Sequence, residues 1–493
     1  MKRRIWTFLL SILMLAGALA HAQSTARPIY ARLTVPIFFE SKIPGDIDRI
    51  SEAVSRMTEE KIGASVTLVP LLYVFGGGGA SDSVDLVRIS EFELLEKQGV
   101  RFDVMPDDMP NVRFAELDAL LDQYGREARS VISEELLDYT RTGGKLYVLP
   151  SVSDYVASSG VAMRKDIVEK YAIDISAIHS LADLDPILQT VRAAEPDLKM
   201  ICPNQTRRGF LGRLRSKDAI LGSVCDLDPE DPMQVVNYYA TAEYRKTIQR
   251  LRGWYLCDYL PDQMALQNIR AEELMEAGEL FAYLCAYKPG VEYEESVSSG
   301  RKVVVSQLME PEITRRSLDS SRWGIYEGCL NPGKAMQFLN LLYTDQELVN
   351  LLIYGIEGEH YVRLPDGTID YPDGTNAETV GYHNTVPWVL PNQLISYVWH
   401  GNDPDVWKET EEFNNTAKIS EAIGFSFDPG AVAPENDALN GIVSRYSYGL
   451  ETGQLDPDVY LPRMLQEMEE AGMERVVEEA QRQYDLYRKG GSP

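Results

Sequence analysis

The chain has 493 residues, with 48 Lys and Arg against 75 Asp and Glu, a net charge of −27, five histidines and five cysteines. A field of that sign repels phosphate backbones and anionic lipid surfaces, which argues against nucleic-acid binding and against peripheral membrane attachment. Length alone predicts about three domain-equivalents.

At the start, Lys2-Arg3-Arg4, the apolar run Ile5 to Ala20 and the small-x-small triplet Ala20-His21-Ala22 read as the three parts of an export signal. The run is shorter than the ~20 residues a spanning helix needs, so the expectation is cleavage near Ala22 rather than a retained anchor. Arg32 to Phe39 is a buried strand by its β-branched, apolar content, and Ala64 to Leu72 is a second. Between them, Asp46 to Lys61 is helical, with Ile47, Ile50, Val54 and Met57 on one face. The run Gly76 to Gly79 lacks the G-K-[S/T] of a phosphate loop, and a third strand is expected from Val84 to Ile89. This order of strand, helix, strand, loop and strand opens an α/β lobe.

Further strands are expected at Gly143 to Pro150, Lys199 to Asn204, Leu280 to Ala286 and Lys302 to Leu308, with helices at Ala182 to Glu195, Ala242 to Tyr255 and Ala271 to Gly278. Trp323 to Glu327 is a short strand that leads into two linked helices. Asn331 and Pro332 open the first of these helices; Asp345 caps the second and Gly355 suits its end. Two Asp-Gly turns follow, at Asp366-Gly367 and Asp373-Gly374. Helices are then expected at Val406 to Lys418, Asn436 to Tyr448 and Pro462 to Arg488, the last with a break near Gly472.

Several stretches in fixed order resemble one family. They are VAMRKDIVEKYAID (Val161 to Asp174), GELFAYLCAYKPG (Gly278 to Gly290), NPGKAMQFLNLLYTDQELVNLLIYGIEGEHYV (Asn331 to Val362), DGTIDYP (Asp366 to Pro372), NQLISYVWHGNDPDVW (Asn392 to Trp407) and LETGQLDPD (Leu450 to Asp458). Together they resemble the solute-binding proteins of ABC importers, in the maltose-binding group, and most of all its Gram-positive branch with an extra C-terminal domain of unassigned function. The resemblance implies an α/β fold of the periplasmic-binding-protein type II, two interleaved lobes around a hinge and cleft, with a helical C-terminal extension. Its expected division is residues 23–155 with 286–322 in lobe 1, 156–285 with 323–360 in lobe 2, and 361–493 as an extension packed on lobe 2. The expected partners are a small-molecule solute and the transmembrane subunits of an ABC permease, with the chain itself a monomer. Family members often carry a lipid-bearing cysteine after the signal. Here Gln23 stands there, so a periplasmic or released protein is expected.

No enzyme signature is present: there is neither G-x-S-x-G nor H-E-x-x-H, and His179, His360, His383 and His400 are too dispersed for a ligand set. Asp226, Asp228, Glu230 and Asp231 resemble part of a calcium loop, but the EF-hand glycine and terminal glutamate are missing, which favours a solvated loop. No cofactor and no metal are called for. Cys202, Cys225, Cys257, Cys285 and Cys329 form no C-x-x-C pair; Leu256-Cys257 and Leu284-Cys285 read as buried thiols, and export leaves room for one disulfide among the five.

What remains is a set of aromatic residues at element ends, with polar neighbours. Phe39, Tyr155, Tyr287, Trp323 and Trp388 offer rigid apolar faces for stacking, and Glu40, Asp154, Lys288 and Asn392 offer orienting hydrogen bonds. Any one of these aromatics could equally fill a core; the reading rests on the group meeting where strands end. The expected solute is an oligosaccharide or related polar compound, with a peptide second. A surface sensor or adhesin on the same fold is the alternative to transport.

Overall fold

The computed structural model describes residues 30–490 apart from 41, 73–93, 96, 108–111, 157, 204–209, 215–223, 229, 262–269 and 315–321. The export segment, the Gly76 to Gly79 run and the strand expected at Val84 to Ile89 lie outside the described residues.

The first lobe begins with β1 (Ala31–Phe39), α1 (Ile47–Ile62) and β2 (Ala64–Leu72). The two strands pair in parallel from Ala31 opposite Ala64 to Phe39 opposite Leu72. Helix α1 buries Ile47, Ile50 and Val54 and ends at Gly63, whose φ of 65° is the left-handed conformation that glycine adopts without steric cost. Three short strands complete this lobe: β3 (Val104–Pro106), β4 (Val148–Pro150) and, far later, β10 (Arg322–Ile325). β10 lies between the other two, with Trp323 opposite both Pro106 and Leu149.

The second lobe is a four-stranded sheet in which β8 (Val303–Gln307), β5 (Ser159–Arg164), β7 (Leu280–Ala286) and β6 (Lys199–Pro203) lie side by side. β5 is antiparallel to both neighbours, while β6 and β7 run parallel. Its strands are almost continuously apolar because helices cover the sheet. Leu184 and Leu188 of α2 (Leu181–Ala194) and Leu251 and Trp254 of α3 (Ala242–Leu256) share a core with Val161, Met163 and Phe281. Next to the sheet lies α4 (Val291–Ser298).

After β10 come α5 (Pro332–Thr344) and α6 (Gln346–Tyr354). Asp345 caps α6 by accepting from Leu348 N at 3.0 Å, whereas Asn331 makes no side-chain cap on α5. Both helices bury their apolar stripes in the core that holds β1 and β2. This corrects the lobe boundaries. Val303–Gln307 completes the second sheet, and the segment from Trp323 onwards belongs to the first lobe. The chain therefore passes back after Gln307 and not at Ala286, because β8 finds its backbone partners on β5.

The extension also divides. Tyr361, Ile369, Tyr382, Val386 and Leu390 join the first-lobe core. The later helices α8 (Ala433–Glu451), α9 (Pro457–Glu470) and α10 (Met473–Arg488) pack with Tyr239, Tyr244 and Ile248 on the second-lobe side. Between these parts lie α7 (Val406–Thr416) and β11 (Lys418–Ile419).

Among the described residues the lobes are joined at neighbouring places. The 151–158 segment leads from β4 to β5. It is held by Val152 N donating to Pro391 O at 2.7 Å and Gln393 N donating to Val152 O at 2.9 Å. The return passage runs alongside, with Leu308 N donating to Ser159 O at 2.8 Å and Ser158 Oγ to Met309 O at 2.7 Å. It then forms β9 (Glu312–Ile313), which pairs in parallel with β11, the start of the third passage.

Candidate functional site

The nine residues expected at a solute site fall into two groups. Phe39 and Trp323 are each 1% exposed and Asn392 is 2% exposed, all in the first-lobe interior. The Phe39 ring meets the edge of Tyr382 at 5.9 Å. Trp323 Nε1 donates to Val389 O at 2.6 Å, and Asn392 Nδ2 donates to Tyr343 O at 2.7 Å while its Oδ1 accepts from Leu394 N. Their faces and polar atoms are used up in packing, so these three are corrected from solute contacts to structural residues. Glu40 is exposed, its backbone N–H held by Thr385 Oγ1 at 3.2 Å; Trp388 is half-buried against the same core.

The other four meet beside the passages between lobes. Tyr287 follows β7, and its N–H donates to Ser158 O at 3.1 Å, which fixes its backbone beside the first passage. Lys288 Nζ lies 2.5 Å from Asp154 Oδ2 and 3.0 Å from Glu294 Oε1. Burial alone would lower the Lys288 ammonium, but the two carboxylates outweigh it and hold its pKa above the ordinary lysine value. Tyr155 is half-buried; burial first, and then Glu411, raises its phenol.

Tyr287 and α7 together border a cavity of about 420 Å³. Tyr287, Pro289 and Gln307 line the second-lobe side; Glu409, Glu412, Phe413 and Thr416 line the other. The Tyr287 and Phe413 rings are 6.0 Å apart and tilted by 59°. Gln307 donates through Nε2 to Met309 O at 2.8 Å and to Ser158 Oγ at 3.3 Å, so it offers a solute its amide oxygen. Burial, followed by Glu292, raises the Tyr287 phenol, which stays a neutral donor. A touching aromatic pair with polar groups around it, at the edge of an open cavity, makes this a candidate contact region for a polar solute. Asn414 Nδ2 donates to Ser153 O at 2.8 Å and ties α7 to the first passage.

The α7 contribution is absent from the sequence expectation, although the signal is there. Glu409, Glu412, Phe413 and Thr416 stand at i, i+3, i+4 and i+7 and so share one helical face. Of the other candidates, the 226–231 carboxylates serve their own loop: Asp228 Oδ1 accepts from Glu230 N and Asp231 Oδ1 from Met233 N. All five cysteines are free; Cys257 is exposed, beside a Leu256 that is 67% exposed, which corrects its reading as a buried thiol.

This fold is the type II periplasmic-binding-protein fold, and the resemblance drawn from the motifs is borne out by the comparisons. Residues 421–489 match a domain family described as "Domain of unknown function (DUF3502)". Over 462 residues, 90% of this chain and 89% of the relative, the chain is 24% identical to a carbohydrate ABC transporter substrate-binding protein of Streptococcus pneumoniae serotype 4 (strain ATCC BAA-334 / TIGR4). A crystal structure of the N-glycan transport solute-binding protein NgtS of Streptococcus pneumoniae superposes with a TM-score of 0.78 at 20% identity, over 93% of this chain and 99% of that one. The same protein in complex with Man5GlcNAc gives a TM-score of 0.65 at 20% identity, over 94% of this chain and all of that one (100%). Among the described residues no helix is long and apolar enough to cross a membrane.

Proposed function

We propose that this chain is the extracytoplasmic solute-binding component of an ABC importer. It captures an oligosaccharide by closing its two lobes and hands it, unaltered, to the transmembrane subunits. The observation that carries this reading is the match to a carbohydrate substrate-binding protein along nine-tenths of the chain. The interleaved lobes support it: passages that run side by side leave the lobes free to turn while their sheets stay intact. A solute that bridges both lobes binds the closed arrangement better and draws the equilibrium towards it. Micromolar affinity, about −8 kcal/mol, is enough for capture and still allows release. Tyr287, with Phe413, Gln307, Glu409 and Glu412, forms a contact region for one saccharide unit. Asp154 and Lys288 set the hinge beside it, and Tyr155, Glu40 and Trp388 remain candidates for further contacts. The protein acts as a monomer, exported by residues 1–22 and freed by cleavage near Ala22.

Small-angle scattering with a saturating mannose–N-acetylglucosamine oligosaccharide tests this directly. The radius of gyration is expected to fall on binding. A bound oligosaccharide that leaves it unchanged overturns closure, and turnover of the oligosaccharide by purified protein overturns the transport role.

A further inference from the structure

We infer that the cavity bordered by the Tyr287–Phe413 ring pair takes a saccharide unit that carries a protonated amine, that is, a hexosamine without its acetyl group. This rests on the proposed capture of saccharides and specifies the unit bound at that site. The cavity wall is rich in acceptors. Glu409 and Glu412 stand three residues apart on the exposed face of α7, and neither forms an ion pair among the described residues. Gln307 adds its amide oxygen, because its N–H groups are already taken by Met309 and Ser158. Thr416 gives its hydroxyl proton to Phe413 O at 2.9 Å. Among the described residues the Tyr287 hydroxyl is the one side-chain donor left on the lining.

Among the described residues no basic side chain lines the cavity, and the nearby Lys288 is already shared between Asp154 and Glu294. Two like charges one helical turn apart repel each other, and a cation placed between them relieves that repulsion. A neutral sugar answers such a wall only with hydroxyl donors. An ammonium on the ring adds charge-assisted hydrogen bonds to one or both carboxylates and faces two aromatic rings that attract cations. A uronate carboxylate meets a single donor, the Tyr287 hydroxyl, and is repelled by both glutamates. The chain's net charge of −27 acts in the same direction over longer range, drawing in cationic solutes and slowing anionic ones.

The test is calorimetric titration of the full chain at pH 7 and low salt. Three probes are used: a β-1,4-linked N-acetylglucosamine disaccharide, its de-N-acetylated counterpart, and a disaccharide carrying a glucuronate. The amine is expected to bind about tenfold more tightly than the acetamide, with a gap that narrows at high salt. Glu409→Gln with Glu412→Gln is expected to collapse that ratio towards one. Both side chains are exposed, so the melting temperature should hold and the ratio remains readable. Acetamide binding as tight as amine binding overturns the inference while leaving saccharide capture standing. A preference that survives the double substitution overturns the assignment to this cavity. If none of the probes binds and no oligosaccharide compacts the molecule, both this inference and the functional reading beneath it fall.

Discussion

Lys288 Nζ sits 2.5 Å from Asp154 Oδ2, an ion pair joining the end of a second-lobe strand to the segment that leaves the first lobe. With Glu294 on its other side, the ammonium serves two carboxylates in a site where it is only 20% exposed. Lys288→Met leaves those carboxylates facing each other without a cation. The expected cost is about 2 kcal/mol, below the 3–5 typical of a fully buried pair because solvent still reaches the group. Thermal melts at pH 7 should show the deficit. Equal melting temperatures at pH 7 count against the pair as a tie.

Trp323 is an anchor of the first-lobe interior. Trp323→Ala removes a fully enclosed ring and the indole N–H that donates to Val389 O. The expected loss is about 3–5 kcal/mol in denaturant unfolding. Trp323→Phe keeps most of the volume and should lose less than half as much. Normal stability in the alanine variant is the result that contradicts this placement.

Tyr287 and Phe413 behave oppositely if they line the solute site. Either one changed to alanine should weaken saccharide binding about tenfold, consistent with losing one stacking face, with a small shift in melting temperature because both rings border an open cavity. Titration calorimetry and thermal melts of each variant separate the two effects. Unchanged affinity in both variants removes the cavity from consideration.

His383 makes stability depend on acid. Its ring packs among Tyr354, Tyr371 and Trp399, with the Tyr371 hydroxyl 3.0 Å from Nδ1, and burial lowers its pKa to about 4. An unfolded histidine titrates near 6.5, so below that pH the unfolded chain binds the proton more readily. The neutral ring's contribution is whole above about pH 6.5 and drains away as pH falls towards 4, to a total of about 3 kcal/mol. His383→Phe should flatten the fall in melting temperature across that window. Parallel curves for variant and parent rule out this residue as the cause.

Local structure was legible where it depends on local spacing. The apolar runs at Arg32 to Phe39 and Leu280 to Ala286 read as buried strands. The 3.6-residue stripe of Ala335, Met336, Leu339 and Leu342 reads as a helix, and each is found. Lobe membership was not legible. Val303–Gln307 and Arg322–Ile325 are both short apolar strands, and what separates them is a partner about 140 residues earlier for one and about 170 to 220 for the other. The same limit hid the fate of the aromatics. The rigidity and apolar area that suit Trp323 to stacking on a sugar suit it equally to filling a core, and only its neighbours decide. Tyr287 and Lys288 ended at the passages because they follow a strand whose end abuts the 151–158 segment. Their counterparts on α7 went unread because a face carrying two glutamates looks like any solvated helix in so acidic a chain.

The third passage, stitched to the second by a parallel pair at Glu312–Ile313 and Lys418–Ile419, bears on how the halves can travel. A body fastened to another by a single thread can slide, tilt and spin. Attached by adjacent threads that are themselves bonded, it keeps little more than a swing about one axis. In the proposed role the empty and loaded forms would then differ along one coordinate, and the proposed membrane partner could tell full from empty by that angle without touching the cargo.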